Sequence, residues 1–163
     1  MIILIDGRSG SGKTELASAL ALRMPGAQLV RLDDIYPGWT GLDAGSGAVP
    51  GILAAHRWQR WDWAASALAE WHDLDPGLPV IVEGVGALSR ASRPLADRAV
   101  WVELDDETRR QRALARDAYF AEHWDDWARQ EEGLLARENP RGLADLVVDG
   151  GNVHGALEAL VGE

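Results

Sequence analysis

The stretch Gly7-Arg8-Ser9-Gly10-Ser11-Gly12-Lys13-Thr14 matches G-x-x-x-x-G-K-[ST] at every fixed position. Its neighbours have the order that this motif requires. Before it, Met1-Ile2-Ile3-Leu4-Ile5-Asp6 is a short apolar run rich in β-branched residues, which reads as a strand buried in a parallel sheet. After it, Leu16, Leu20 and Met24 recur at helical spacing until Pro25-Gly26 ends the pattern. In a strand–loop–helix of this kind, glycines let the backbone curl so that successive N–H groups point inward. The helix that follows adds its unpaired N–H groups and the positive end of its dipole. The product is an anion cradle: Gly7, Ser9, Gly10, Ser11, Gly12, Lys13 and Thr14 are the expected contacts of a nucleoside triphosphate. Lys13 is expected to reach the β- and γ-phosphates, and Thr14 to ligate Mg²⁺. Lys13 is also the only lysine, against fifteen arginines. A compact ammonium lies under a curled loop more readily than a planar guanidinium fork does.

Composition narrows the class. At 163 residues one domain is expected over 1–163. There is no cysteine, so neither disulfides nor thiol chemistry enter, which suits a cytoplasmic protein. The apolar N-terminal run is too short for a membrane span or a signal peptide. A net charge of −10 argues against a nucleic-acid partner, which favours a basic face. ATP is not excluded by that charge, because its phosphate site is local. The four histidines show no ligand spacing. The expected assembly is a monomer or homodimer.

Further along, strands are predicted at Gln28–Leu32, Pro79–Gly84, Ala99–Leu104 and Asp145–Asp149, with an irregular, glycine-rich stretch between Tyr36 and about Arg60. Helices are predicted from about Asp62 to His72, where Trp61, Ala64, Leu68 and Trp71 form a stripe, from Asp105 to about Asp117, from about Trp124 to Arg137, and at the end of the chain. Alternating strands and helices predict an α/β, P-loop NTPase fold: a five-stranded parallel sheet with helices on both faces. Ligands bind beyond the carboxyl ends of such strands. Lys13, Asp33, Asp34, Glu83 and the arginines of the helix from residue 105 all fall just past strands. The guanine-reading N-K-x-D motif needs a second lysine, which the chain lacks.

Several segments resemble the uridine kinase family of P-loop nucleoside kinases. Asp33-Asp34-Ile35-Tyr36 resembles its D-x-F-Y, with Ile35 in the aromatic position. Val82-Glu83-Gly84 resembles the E-G that ends its third strand. Asp105-Asp106-Glu107-Thr108-Arg109, continued by Arg112, Arg116 and Asp117, resembles its D-x-x-T-R-x-x-R-x-x-x-R-D stretch. Ala144-Asp145-Leu146-Val147-Val148 is similar to its Y-A-D-V-I-I strand. The resemblance implies a nucleoside/nucleotide kinase-like fold with a short lid at about 112–125, an ATP- and Mg²⁺-dependent phosphotransfer, and a small-molecule hydroxyl acceptor. It implies Asp33 as the base that takes the acceptor proton. Asp34 would orient Mg²⁺ through water, and Glu83 would be the metal-side acid. Arg112 and Arg116 would neutralise the transferring phosphoryl group, and Arg109 would pack on adenine. Tyr36, Trp39, Arg57 and Asp62 are the expected acceptor contacts, Asp62 by its likeness to the sugar-binding Asp of the family's F-D-H-P segment. The chain reads as too short for the hairpin that encloses the base in that family. Two other readings stay open: a nucleoside monophosphate kinase, with Arg57 and Arg60 on an anionic acceptor, and a nucleotide-binding switch that transfers no phosphate.

Overall fold

β1 (Ile2–Asp6) pairs on both edges and is covered on both faces, which is why Ile2–Ile5 are apolar. The structure, a computed structural model that describes residues 1–162, continues with α1 (Lys13–Arg23), β2 (Gln28–Arg31) and a 3₁₀ turn at Leu32–Asp34. Next come α2 (Leu42–Ala55), β3 (Arg57–Asp62), β4 (Ala67–Asp73) and β5 (Val80–Glu83). The chain ends with β6 (Arg98–Glu103), α3 (Asp106–Arg116), α4 (Phe120–Glu138), α5 (Pro140–Leu143), β7 (Leu146–Asp149) and α6 (Val153–Val161).

Five strands form one parallel sheet in the order β2-β5-β1-β6-β7. Its side chains divide by the period-two rule of strands. Leu4, Val30, Val80, Val82 and Ala99 face α2 and α4, where they meet Leu42, Val49, Ile52, Phe120, Trp127 and Leu134. Ile3, Ile5, Ile81, Val100, Val102 and Val148 face α1 and α6, where they meet Leu16, Leu20, Leu157 and Leu160. The expected parallel sheet with helices on both faces is present. In register, Ile5 and Arg31 both lie beside Glu83, so β1, β2 and β5 end at one level. That shared edge positions the site.

Three expectations between β2 and β5 are overturned. The glycine-rich stretch is not an open loop but holds α2, despite Gly45, Gly47, Gly51 and Pro50 within the helix. Packing overrides poor helix propensity here. A Cβ on Gly45 would stand 2.4 Å from Cδ1 of Tyr36, so glycine lets the helix settle on that ring. Ser46 Oγ also donates to the Gly86 carbonyl at 2.7 Å. The predicted helix at 62–72 is instead an antiparallel hairpin of β3 and β4, with Trp58 opposite His72 and Trp61 opposite Leu68. The chain is therefore long enough for a hairpin at this place. Of the predicted helical stripe, Leu68 and Trp71 are 63% and 53% exposed, so it is not a core face. Only Trp58 of the hairpin enters the core, and its ring stacks on His72 at 4.2 Å. Trp101, inside β6, is buried.

Candidate active site

The loop after β1 is shaped by two glycines in the left-handed region, Gly10 (φ 78°) and Gly12 (φ 102°). A Cβ on Gly10 would lie 2.1 Å from the Arg109 carbonyl oxygen, so α3 sits against the loop at a distance only glycine permits. Lys13, 8% exposed, folds across the loop and donates from Nζ to the Arg8 carbonyl at 3.1 Å. Thr14, one residue into α1, donates from Oγ1 to Glu83 Oε1 at 3.0 Å. Glu83 is buried at the end of β5. Burial raises its pKa, Lys13 and the Thr14 bond oppose that rise, and the Asp33 charge adds to it. The hydroxyl and the carboxylate expected to serve a metal are thus in direct contact at the foot of the loop.

Asp33 and Asp34 occupy the 3₁₀ turn after β2, one strand over from Glu83. The Asp33 side chain is exposed, and its carbonyl accepts from Trp63 Nε1 at 2.8 Å. Asp34 has a raised pKa, first through burial and then through the Asp33 charge; Arg31, Arg60 and His72 act against it. Of the arginines expected in a lid, Arg112 donates from Nη1 to the Gly150 carbonyl at 3.0 Å, and the same nitrogen lies 3.8 Å from the place a Cβ would take on Gly12. Arg116 stands exposed at the last turn of α3. Arg109 is 3% exposed; it donates to the Ser9 carbonyl at 3.1 Å and pairs with Asp106. It braces the loop rather than offering an open face to a base.

The expected acceptor contacts scatter. Tyr36 is buried, its hydroxyl donating to the Val85 carbonyl at 2.6 Å and its ring set edge-on to Trp127, so it shapes the fold beneath the site. Arg57 stacks over Trp71 and pairs with Asp73 at the root of the hairpin. Asp62 accepts from the Ala64 and Ala65 amides and caps the hairpin turn. Tyr36 is thus enclosed by the fold, while Arg57 and Asp62 hold partners within the hairpin and stay partly exposed. Trp39 stacks on His123 at 4.2 Å and lies 5.1 Å from Trp63, whose indole N–H donates to the Asp33 carbonyl.

Two buried carboxylates escape a reading by motif. Asp6, wholly buried at the end of β1, accepts from the Gly7 amide at 2.7 Å, from Leu88 at 2.9 Å and from Gly86 at 3.2 Å. Burial raises its pKa from 3.8 to about 7, against these bonds and Lys13. Asp6 thus ties the phosphate loop to the loop that follows β5. Glu131 of α4, 1% exposed, accepts from the Ser9 amide at 3.2 Å and from Arg8 Nε at 3.4 Å. A signal existed for it: Glu131 continues the buried stripe of Phe120, Trp127 and Leu134 at helical spacing. An acid on an apolar stripe needs a partner inside.

Known structures share this fold. A possible uridine kinase from Bacillus stearothermophilus is 21% identical, with a TM-score of 0.62 over 91% of this chain and 88% of that one. A gluconokinase from Sinorhizobium meliloti 1021 is also 21% identical, with a TM-score of 0.60 over 98% and 89%. A shikimate kinase from Bacteroides thetaiotaomicron is 14% identical, with a TM-score of 0.60 over 100% and 99%. No family model matches the chain, and no curated protein matches it in sequence. The chain has the fold of P-loop small-molecule kinases, as its resemblance to the uridine kinase kind implied.

Proposed function

We propose that the chain is an ATP- and Mg²⁺-dependent kinase that moves a phosphoryl group to a hydroxyl of a small molecule. The observation that carries this reading is the Thr14–Glu83 contact at the foot of the glycine loop, with Asp33 on the neighbouring strand end. The residues fit the groups. Gly10 and Gly12, both in the left-handed region, let the loop curl as a phosphate cradle needs. Among the described residues no cluster of three or more His, Cys, Asp or Glu would hold a metal alone. That suits Mg²⁺, which keeps several waters and shares its shell with substrate phosphates. Bound MgATP would supply the electrophilic phosphorus and the charge that Mg²⁺ neutralises.

Each residue then has a task. Thr14 Oγ1 and Glu83 would hold the ion, Glu83 by way of a water. Asp33 orients the acceptor hydroxyl and takes its proton. Lys13 offers a point charge to the β- and γ-phosphates. Arg112 already stands beside the loop, and Arg116 reaches the transferring group when the segment at about 112–125 closes as a lid. Trp39 and Trp63 form an aromatic wall beside Asp33 that suits a ring-shaped acceptor such as a nucleoside. The reading as a nucleoside monophosphate kinase would need Arg57 and Arg60 to leave their exposed pairs with Asp73 and Glu70 for an anionic acceptor. The switch reading makes a different forecast, nucleotide binding without acceptor-stimulated turnover.

Asp33→Asn separates them. ADP release is measured with a panel of nucleosides, sugars and amino alcohols, and ADP affinity by titration. The variant loses turnover by about 10² or more, with ADP affinity within about threefold of the parent. Retained turnover removes Asp33 from the mechanism.

A further inference from the structure

A cavity of about 350 Å³ opens beside the phosphate loop, and none of Lys13, Thr14, Asp33 or Glu83 lines it. It lies between the end of β6, the first turns of α3 and the joint of α4 with α5. Three observations make it more than a crevice. Arg109, which lines it, is a buried guanidinium. Trp101, which also lines it, is 4% exposed, and its indole Nε1 has no hydrogen-bond partner. Arg8 and Arg141 complete a set of three lining guanidiniums, each paired with a carboxylate: Arg8 with Glu131, Arg109 with Asp106 and Arg141 with Glu103. Some of their donors remain open: Arg8 bonds through Nε and Nη2, and Arg141 through Nε alone. The remaining lining includes Leu104, Leu135 and Pro140, which hold an apolar body and not a bare ion.

We propose that this cavity binds a small organic anion, a carboxylate on a compact apolar or planar body, and that its occupancy alters nucleotide affinity. The carboxylate engages the open Nη groups of Arg8 and Arg141, which suit planar two-oxygen acceptors. The body covers Leu135 and Pro140. The link to the nucleotide site is short. Arg8 belongs to the phosphate loop, and Arg109 holds the Ser9 carbonyl. A ligand that draws on either guanidinium shifts the balance of bonds that shape the loop. Binding at the two sites is then coupled in both directions. The site is independent of the proposed phosphoryl transfer.

The test reads binding directly. Indole N–H signals are followed by two-dimensional ¹H–¹⁵N NMR while benzoate is added, with inorganic phosphate as a second titrant. The Trp101 signal is identified by its loss in Trp101→Phe. Benzoate moves that signal and saturates on the order of millimolar; inorganic phosphate leaves it in place. Arg141→Ala, at an exposed side chain, weakens benzoate by about tenfold. Saturating benzoate changes the Kd for ADP by about fivefold or more. No saturable shift of the Trp101 signal, or an unchanged benzoate titration in Arg141→Ala, means a water-filled cavity and overturns the site. An equal response to inorganic phosphate overturns the organic-anion class, and an unmoved ADP Kd overturns the coupling. None of these readouts needs turnover, so they stand apart from the fate of the kinase reading.

Discussion

Lys13 and Asp6 show what single residues contribute at the edge of this sheet. Lys13 is held by the Arg8 carbonyl inside the curl it serves. A guanidinium there keeps the charge but needs more width than a buried ammonium. Lys13→Arg is therefore expected to lose nearly as much kcat/KM as Lys13→Ala, about 10²–10³ in each case, the scale for removing one preorganised donor to developing charge. Full activity in Lys13→Arg would show that charge alone matters. Asp6 makes a prediction about stability. Its folded pKa of about 7 lies above the ordinary 3.8, so the native state holds this proton more tightly than the unfolded chain. The stability it contributes is fully present below 3.8 and is lost as pH rises through about 7. Glu83 and Asp34, also raised, act in the same direction. Urea denaturation across pH 4 to 8 isolates Asp6, since Asp6→Asn is expected to flatten this decline. Parallel curves for the parent and the variant would contradict the assignment.

At the scale of elements, the phosphate loop, the sheet strands and α3 were legible, and α2 and the hairpin were not. The loop's signal is local, because its glycines and lysine are needed in place. Asp105 likewise marks the start of α3 in the sequence and caps it in the structure, accepting from the Thr108 amide at 2.9 Å. The hairpin hid because its turn carries no glycine: Ser66 takes the left-handed conformation, at φ 49°. Its residues also fit a helical period as well as an alternating one. α2 hid because its evidence is tertiary. Gly45 reads as a helix breaker until the Tyr36 ring is placed beside it. Two substitutions in this one helix are expected to differ in sign. Gly45→Ala costs about 1–3 kcal/mol through overpacking against Tyr36. Gly47→Ala, with nothing within 4 Å of its Cβ, gains about 0.5–1 kcal/mol in helix propensity. Denaturation midpoints of both variants check the pair; equal effects would contradict the packing account of α2.

For the whole molecule, topology does the gathering. β1, β2 and β5 end at one level, and that alone brings Lys13, Asp33 and Glu83 to a common edge although they lie far apart in sequence. This part of the site was readable, because each residue closes or follows an apolar strand. The acceptor side was less so. Tyr36, Arg57 and Asp62 have suitable chemistry, but Tyr36 is buried and the other two hold partners within the hairpin, which only three-dimensional contacts reveal. Glu131 reached the loop from the opposite end of the chain for the same reason. No helix among the described residues is long and apolar enough to cross a membrane. The central claim, phosphoryl transfer to a small hydroxyl compound, meets its most direct test in one incubation. The protein, MgATP and a small-molecule metabolite extract are combined and followed by mass spectrometry. The account predicts one compound that gains a single phosphoryl group as ADP accumulates, with neither change in Asp33→Asn. Tight ATP binding with no phosphorylated product, across extracts of varied origin, would contradict it and leave the chain a nucleotide-binding switch.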